Sequence, residues 1–436
     1  MALPDPAFDG VPDWAKEDVQ NLCDSGIIIG SPDGLMHGDD LVTAEQITLM
    51  IQRIWALLGS NLKDDFYATV NKEWLDKSTL LPGSASTGAF TELNDENNKR
   101  LTEMIQDIVS GTPEKGTKEQ KIKDFYLTIL DSQGREKTGL APIQEYLDQV
   151  DALENLDQLK ELQAVLTKEL YLNTLLGFGI TVDLKNSNQY ILVFSTISPD
   201  MTKDFYSAGN EASQKLYTDY LQSVLELGGV SPEEAQRQIS AYYDLQKDLA
   251  ANSLGNEDMN NVDKIYNIFT LGQLQEKFPA FDLKQILKND GIEKIPEKIM
   301  VGDVGLMEAA AKYYTQDNFQ LLKDTMRLSI LSSFGGYLDD EFTKAATKFS
   351  NALYGIEGER TAEENASLTV QGVMSDYLGE AYIERYFSPE AKQDVENMVQ
   401  DFIEIYKTRI LNLDWMSDTT KEKALKKLET LGVRIG

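Results

Sequence analysis

Apolar residues along most of this chain recur every three or four positions, the spacing that places them on one face of an α-helix. One such stripe extends from Val370 to Tyr382 and another from Val395 to Tyr406. Helix start signals accompany the pattern, because Ser231 and Ser388 are each followed by a proline and a glutamate, as at an N-cap with a first-turn proline. We therefore expect a mainly α, multi-helix protein in which these stripes form the core.

One segment departs from the helical spacing. Residues 179–195 form two runs rich in β-branched and aromatic residues, separated by Lys-Asn-Ser-Asn at 185–188. We expect one small β-hairpin there. Loops are expected at 110–118, around 252–261 and near 286–303, where turn-forming residues collect.

Residues 8–58 have the pattern of a small helical unit. Val19 and Cys23 share the apolar face of a first helix, so Cys23 is expected to be a core residue. A second helix begins at Thr43, where Thr43 and Gln46 have the spacing of a capping box, and its apolar stripe continues to Leu58. A Pro-Asp-Gly turn at 32–34 separates the two helices.

Length and charge narrow the possible functions. The chain has 436 residues, more than the roughly 250–300 that one hydrophobic core usually serves, so we expect at least two structural units. Its net charge of −31 would repel nucleic acid phosphates and anionic membranes, which argues against both as partners. No apolar run reaches the roughly 18 residues that a transmembrane helix needs, so we expect no transmembrane helix. Residues 1–6 lack the features of a signal peptide, so we expect that none was present or that it was removed.

Histidine and cysteine are nearly absent. The chain has one of each, His37 and Cys23, and neither a two-histidine zinc motif nor a cage of thiolates can be assembled from them. His37 lies in a polar turn at 34–40, which does not favour a catalytic role. One cysteine allows no intrachain disulfide, as in cytosolic proteins or in proteins exported by organisms that do not use disulfides. A glycosidase-type pair of carboxylates needs no histidine, but 72 acidic residues would produce such pairs by chance.

The N-terminal unit resembles a surface-layer-homology (SLH) domain. The matching segments are residues 8–12 (Phe-Asp-Gly-Val-Pro), 14–15, 26–34 and 42–45. Domains of this kind anchor exported proteins to cell-wall polysaccharide, usually as three copies. This chain has one copy and lacks the arginine expected between Thr43 and Ala44, so a plain packing role is an equal alternative to glycan binding. The resemblance implies an SLH-like module at 1–60 and a secreted or cell-wall-associated protein of a Gram-positive bacterium.

Three later stretches resemble the neprilysin-type zinc metallopeptidases, a family that includes bacterial oligoendopeptidase O. The first contains Asp-Asp-Phe-Tyr-Ala-Thr-Val-Asn at 64–71 and Gly-Ala-Phe at 88–90. The second contains the predicted hairpin turn and Phe-Pro-Ala-Phe-Asp at 278–282. The third contains Tyr-Phe-Ser-Pro-Glu-Ala-Lys at 386–392 and Leu-Asp-Trp-Met-Ser at 413–417. Their order and spacing fit the family, and the resemblance covers residues 63–436.

This resemblance implies that residues 61–436 form the helical region that covers the catalytic domain and encloses a cavity admitting peptides. Family members carry their His-Glu-x-x-His zinc motif beyond the point that matches Gly436, and the family pattern continues there into Tyr-Pro-Asp. We therefore expect a non-catalytic N-terminal half, inactive by itself, that needs a C-terminal catalytic half for zinc binding and peptide cleavage. No catalytic or metal-binding residue is expected in this chain. The alternative is an envelope-associated binding or scaffold protein derived from such a peptidase.

Three positions beside Gly88 are the candidate substrate-binding residues. In many family members an arginine and an aspartate flank the matching segment and hold the carboxylate end of short peptides, whereas this chain has Ser86 and Thr91 there. Neither can form a bidentate contact with a carboxylate, so the resemblance implies an endopeptidase preference over dipeptide release. Phe90 matches a family aromatic residue near the unprimed subsites, with burial in the core as the alternative.

A helical region that faces a catalytic domain should carry apolar residues on the surface it turns towards that domain. We therefore expect this chain to expose an apolar patch on its cavity-facing and C-terminal helices. Apolar patches beyond a few hundred Å² usually indicate a partner.

Overall fold

The computed structural model describes residues 65–435 without interruption and, ahead of them, residues 11, 15–25, 27–28, 46–47, 49–51, 53–54 and 63. The first helices are α1 (Lys16–Asp24), α2 (Phe66–Val70), α3 (Lys72–Lys77), α4 (Ala89–Ser110), α5 (Lys118–Leu130), α6 (Ser132–Thr138), α7 (Ala141–Asp151) and α8 (Leu156–Leu170). Strands and helices then alternate as β1 (Leu176–Asp183), β2 (Asn186–Thr196), α9 (Glu211–Leu227), α10 (Pro232–Asn252), α11 (Asn256–Met259), α12 (Val262–Ile265), β3 (Asn267–Phe269), α13 (Leu271–Lys277), α14 (Leu283–Asn289) and β4 (Ile299–Val301). The remaining helices are α15 (Val304–Tyr313), α16 (Phe319–Leu338), α17 (Asp340–Tyr354), α18 (Ala362–Val373), α19 (Ser375–Tyr386), α20 (Pro389–Leu411) and α21 (Asp418–Glu429). None of these described helices is both long and apolar enough to cross a membrane.

The chain divides into two compact units. The larger unit comprises Met1–Ala85 and Ser132–Gly358, and the smaller unit comprises Ser86–Asp131 and Glu359–Gly436. Each unit is therefore assembled from two separate stretches of chain. The division into a module at 1–60 and a body at 61–436 stays a prediction.

Local sequence explains where several helices of the larger unit begin. The Ser231 side chain accepts a hydrogen bond from the backbone N–H of Glu234, and Pro232 occupies the first turn of α10, as the sequence predicted. Thr270 and Gln273 form a reciprocal capping box at the start of α13. These side chains satisfy backbone donors that a first helical turn leaves free, so they fix the starting points of the helices.

A four-stranded sheet interrupts the helices of the larger unit. β1 and β2 form the predicted antiparallel hairpin, β2 pairs in parallel with β4, and β4 pairs antiparallel with β3. The strand order is β1-β2-β4-β3. The sequence predicted only the hairpin, because β3 and β4 are three residues each and too short to show an alternating pattern. The loops expected at 252–261 and 286–303 are wrong in part, since the first contains α11 and the second contains β4.

The larger unit has an extensive buried core. The apolar faces of α8, α9, α10 and α16 supply much of it, together with the inner half of the sheet. Phe281 is fully buried, and its ring centroid lies 5.8 Å from that of Phe194, 5.8 Å from that of Phe278 and 5.5 Å from that of Tyr314. Such aromatic contacts add to the free energy that burial itself provides.

The smaller unit has a more limited core. Its buried apolar residues come from α4, α5, α18 and α19: Met104, Ile105, Ile122, Tyr126, Ala366, Val370 and Leu378. By contrast, α20 has 23 residues, none of them buried. The predicted burial of the stripe from Val395 to Tyr406 is therefore wrong for Met398, Phe402 and Tyr406, which are exposed. The spacing predicted the helix correctly but not what its apolar face contacts.

Much of the predicted N-terminal module lies outside the described residues. α1 confirms the first predicted helix, although Cys23 is half-buried instead of buried. Residues 46–47, 49–51 and 53–54 of the predicted second helix are helical. His37, the turn at 32–34 and the Thr43 cap lie outside the described residues, so the SLH-like module stays a prediction.

Candidate functional site

The candidate substrate-binding residues lie at the start of α4 in the smaller unit. Gly88 is the N-cap residue, and its C=O accepts a hydrogen bond from the N–H of Glu92 at 2.8 Å. Phe90, in the first turn, is 90% exposed, so its ring is not part of the core that this chain forms. Ser86 is exposed and Thr91 is half-buried. The three residues thus share one short surface segment that carries an uncovered aromatic ring.

The surface at this helix start exposes two large apolar side chains, and Ser86 and Thr91 give it no carboxylate-binding fork. Leu93 follows Phe90 by three positions, so the two side chains are neighbours on α4, and Leu93 is also exposed. Ser86 and Thr91 offer hydroxyl groups, which can make single hydrogen bonds but no bidentate contact. The geometry therefore suits contact with apolar groups more than capture of a charged peptide end.

A second uncovered apolar surface lies on α20 of the same unit. Met398, Phe402 and Ile405 follow one another at i, i+4 and i+7 and are 49%, 58% and 50% exposed. This spacing puts them on one side of the helix, and we call them the α20 face. Trp415, just beyond the helix, is exposed as well. The observation agrees with the expected apolar patch on the C-terminal helices.

The side chains present do not suit a zinc ion. Within the described part of the chain, no group of three His, Cys, Asp or Glu side chains could hold a metal. The whole sequence offers one histidine and one cysteine, and His37 lies outside the described residues. Because structural and catalytic zinc sites draw mainly on histidine and cysteine ligands, the donors of this chain do not fit the zinc that the family resemblance implies.

The larger unit contains a polar cleft of about 350 Å³ between α7, α10 and α16. The buried Asp324 accepts a hydrogen bond from Arg237 at 2.7 Å and one from Gln320 at 2.8 Å. Arg237 also donates through Nε and Nη2 to the carboxylate of Glu234. This guanidinium holds the pKa of Glu234 at about 2, with a smaller contribution from the Gln238 amide.

Two cations of α16 in this cleft stabilise helix ends. The Lys323 ammonium donates to the backbone carbonyls of Asp151 and Leu153, both at 2.9 Å, where α7 ends. Arg327 donates to the Asp151 carboxylate at 2.8 and 2.9 Å and to the Gly228 carbonyl, where α9 ends, at 3.1 Å. Cations are favoured beside the free carbonyls of helix C-termini. The charges of the cleft are therefore engaged in joining helices, which favours a structural role over a catalytic one.

Asp200 lies among buried tyrosines of the larger unit. Its carboxylate accepts hydrogen bonds from the hydroxyls of Tyr217 and Tyr242, the latter at 2.9 Å. The residue as a whole is exposed, but both tyrosine rings are buried, so the carboxylate itself is poorly solvated. This desolvation raises the pKa of Asp200 above its usual value, and the tyrosine hydrogen bonds oppose the shift only in part. The network joins the chain after β2 to α9 and α10.

Comparison with known proteins identifies a family pattern that covers most of the sequence. Residues 62–436 match the N-terminal model described as peptidase family M13. A neutral endopeptidase of Lactobacillus helveticus is 30% identical over an alignment of 392 residues that covers 87% of this chain and 59% of that protein. A neutral endopeptidase of Lactococcus lactis subsp. lactis is 24% identical over an alignment of 381 residues that covers 86% of this chain and 60% of that protein. The chain thus spans about three fifths of the length of these curated relatives.

Solved structures share the fold. The crystal structure of the Mycobacterium tuberculosis zinc metalloprotease ZMP1 in complex with an inhibitor superposes with a TM-score of 0.76 at 22% identity, over 85% of this chain and 56% of that one. PepO from Lactobacillus rhamnosis HN001 superposes with a TM-score of 0.73 at 21% identity, over 85% of this chain and 59% of that one. These likenesses confirm the predicted fold class, a mainly helical domain with a small sheet.

Proposed function

Because the chain belongs to peptidase family M13, we propose that it supplies the helical region of a zinc metallopeptidase that cleaves peptides. The zinc ion and the residues of the hydrolytic step come, in this proposal, from a C-terminal catalytic portion of the family fold that acts as its partner. The 436-residue chain alone is then inactive.

This proposal rests on where histidine occurs in the sequence. The family match covers residues 62–436, and that stretch has no histidine, because the single one is His37. A His-Glu-x-x-His motif supplies two zinc ligands and a general base from one helix. The matched region can therefore provide no histidine of that motif. We place the motif in the part of the family fold that corresponds to the remaining length of the relatives.

The apolar surfaces of the smaller unit support a partner. The α20 face and the Phe90–Leu93 surface expose large apolar side chains to solvent, and clusters of this kind are typical of contact surfaces. We propose that the catalytic portion covers the α20 face. Phe90 would contact apolar substrate side chains, and with Ser86 and Thr91 beside it the enzyme would cleave inside peptides in preference to releasing dipeptides.

A hydrolysis assay tests the proposal. The purified chain with added zinc is incubated with an internally quenched peptide, alone and in equimolar mixture with a segment of the same genome that carries His-Glu-x-x-His and continues the family pattern. We expect no hydrolysis by either part alone, hydrolysis by the mixture, and loss of hydrolysis when EDTA removes the metal. Hydrolysis by the chain alone that EDTA abolishes would contradict the proposal.

The resemblance of residues 8–45 to an SLH domain favours a second candidate, an envelope-bound binding or scaffold protein. In either case we propose that the protein acts outside the cell and that residues 1–60 attach it to wall polysaccharide of a Gram-positive bacterium. The full chain should cosediment with purified cell walls and fail to do so with walls stripped of polysaccharide. Wall binding favours the scaffold if the genome also lacks a segment that carries His-Glu-x-x-His and continues the family pattern, and no wall binding would leave residues 1–60 with a packing role.

A further inference from the structure

Among the described strands, β1 lies at an edge of the sheet and pairs with β2 on one side only. The N–H of Ile197 donates to the C=O of Leu175 at 2.8 Å, which makes these two residues a hydrogen-bonded pair of the antiparallel ladder. Such pairs alternate along the ladder, so residues 177, 179 and 181 direct their N–H and C=O groups towards β2. Residues 176, 178, 180 and 182 direct theirs away from the sheet.

A side chain occupies the first of these outward positions. Gln163 of α8 is buried, donates its amide N–H to the C=O of Leu176 and accepts a hydrogen bond from the N–H of Leu176 at 3.4 Å. The amide thereby takes the place of a neighbouring strand. No described residue pairs in this way with the backbone of Ile180 or Val182. The outer edge of β1 is thus closed at its buried beginning and open further along.

The side chains of the open part are exposed on both faces of the strand. Residues 179–182 are all exposed, with Ile180 at 74% and Val182 at 43%. Tyr190, opposite Val182 in the hairpin, lies on the same face and is 76% exposed. On the other face, no atom of the described residues lies within 4 Å of the position that a Cβ at Gly179 would take. Natural proteins usually protect such edges with charged residues or proline, and Gly-Ile-Thr-Val at 179–182 contains neither.

The charge of the chain favours a cationic peptide over a second copy of the chain as the occupant of this edge. A second copy carries the same net charge of −31, so pairing two β1 edges would bring two strongly acidic chains together. A peptide of positive charge is attracted by the same field. A row of outward N–H and C=O groups pairs best with another extended backbone.

We propose that the outer edge of β1 binds an extended cationic peptide segment as a fifth strand. Backbone hydrogen bonds to Ile180 and Val182 hold it, and alternate apolar side chains of the peptide pack against Ile180, Val182 and Tyr190. The site goes beyond the proposed peptidase role and does not depend on it, because it needs neither zinc nor a catalytic partner.

Binding of short labelled peptides to the full chain tests the proposal. The probe is a rhodamine-labelled Lys-Val-Thr-Val-Thr-Val-Lys, followed by fluorescence anisotropy at low salt. Two matched peptides accompany it, one with both lysines replaced by glutamate and one with its valine amides N-methylated. We expect saturable binding of the lysine peptide and affinities at least about tenfold lower for the two matched peptides. The glutamate peptide loses the charge attraction, and the N-methylated peptide loses its backbone donors.

A proline substitution separates backbone pairing from side-chain contact. Ile180→Pro removes an N–H that points away from β2, so the hairpin keeps its ladder and the edge tolerates the proline. We expect affinity for the lysine peptide to fall at least about tenfold. Ile180→Thr keeps the N–H and the β-branched shape, and we expect a loss of about threefold or less. If circular dichroism shows that Ile180→Pro alters the fold, the N-methylated peptide gives the same test on the unchanged chain.

Four results would overturn the proposal. The first is equal affinity for the lysine and glutamate peptides, and the second is equal affinity for the N-methylated peptide. The third is a dimer of the chain that Ile180→Pro dissociates, measured by sedimentation equilibrium, because the occupant would then be a second copy. Absence of saturable binding of the lysine peptide would equally contradict it, whatever the hydrolysis assay gives.

Discussion

Two long helices with similar apolar spacing have opposite surroundings in the two units. In the larger unit, α16 has 20 residues and eight of them are buried, including Met326 and Ile330. In the smaller unit, α20 has 23 residues and none is buried. The apolar residues of α16 contact other helices of the same unit, whereas the α20 face of Met398, Phe402 and Ile405 is exposed to solvent.

Apolar residues at helical spacing can therefore serve either the core of a unit or a surface that contacts a partner. Apolar residues that pack within a unit stabilise the folded state, and their removal should lower the free energy of unfolding. Apolar residues that remain exposed contribute little to that free energy, and their removal should instead weaken association with whatever covers them. Substitutions in the core of the larger unit should therefore change the free energy of unfolding, whereas substitutions on the α20 face should change association with a partner.

The largest effect is expected for an aromatic residue in the core of the larger unit. Phe281→Ala removes a fully buried ring that contacts three others, and we expect it to lower the free energy of unfolding by about 3–5 kcal/mol. Phe402→Ala on the α20 face is the matched control and should change it by about 0.5 kcal/mol or less. Urea unfolding measures both. Equal losses would mean that the α20 face is part of a core.

A pair of helical glycines should give effects of opposite sign. In α16 of the larger unit, a Cβ on Gly335 would collide with the buried ring of Phe342, so Gly335→Ala should destabilise the protein by about 1–3 kcal/mol. In α19 of the smaller unit, a Cβ on Gly379 would meet no described neighbour within 4 Å. Gly379→Ala should therefore stabilise it by about 0.5–1 kcal/mol through helix propensity. Thermal unfolding tests the pair, and destabilisation by Gly379→Ala would show that α19 is covered.

The smallest effect is expected at the surface of the larger unit and depends on pH. Arg237, with a smaller contribution from the Gln238 amide, lowers the pKa of Glu234 from 4.5 to about 2, so the folded state favours the carboxylate. Its contribution is present above pH 4.5 and is lost as the pH falls towards 2. Because the pair is partly exposed, Glu234→Gln should cost at most about 1 kcal/mol at neutral pH.

Urea unfolding of the Glu234→Gln variant and the unchanged chain at several pH values checks this sign. The difference between the two should shrink as the pH is lowered from 5 to 3, since the wild-type carboxylate then becomes protonated in the unfolded state. A difference that grows on acidification would mean that the Arg237 contact does not govern this group.

Sequence patterns predicted the local features of the fold better than the contacts between elements. The caps at Ser231 and Ser388 and the hairpin were found because their signals lie within a few residues of one another. The strands β3 and β4 were missed because three residues carry no periodicity and their pairing joins distant segments. The burial of α16 and the exposure of α20 could not be distinguished by spacing, which shows that a face is apolar but not what covers it.

The candidate site shows the same limit. Ser86, Phe90 and Thr91 were selected through their match to the family, and the structure adds that Phe90 is uncovered. The role of Gln163 as a substitute strand for Leu176 had no sequence signal, because a glutamine in an amphipathic helix is usually solvated. Contacts of this kind depend on the relative position of α8 and β1, which neither segment specifies alone.

In our proposal, a zinc-bearing portion of the family fold covers the α20 face of the smaller unit. Sedimentation velocity of the chain mixed with a segment that carries His-Glu-x-x-His measures this association. The test variant carries both Met398→Ser and Phe402→Ser. The control variant carries Tyr171→Ser, which changes an exposed aromatic residue of the larger unit. We predict a one-to-one complex that the double substitution weakens at least about tenfold and that Tyr171→Ser leaves unchanged. Equal binding by all three chains, or no complex with the unchanged chain, would contradict the account.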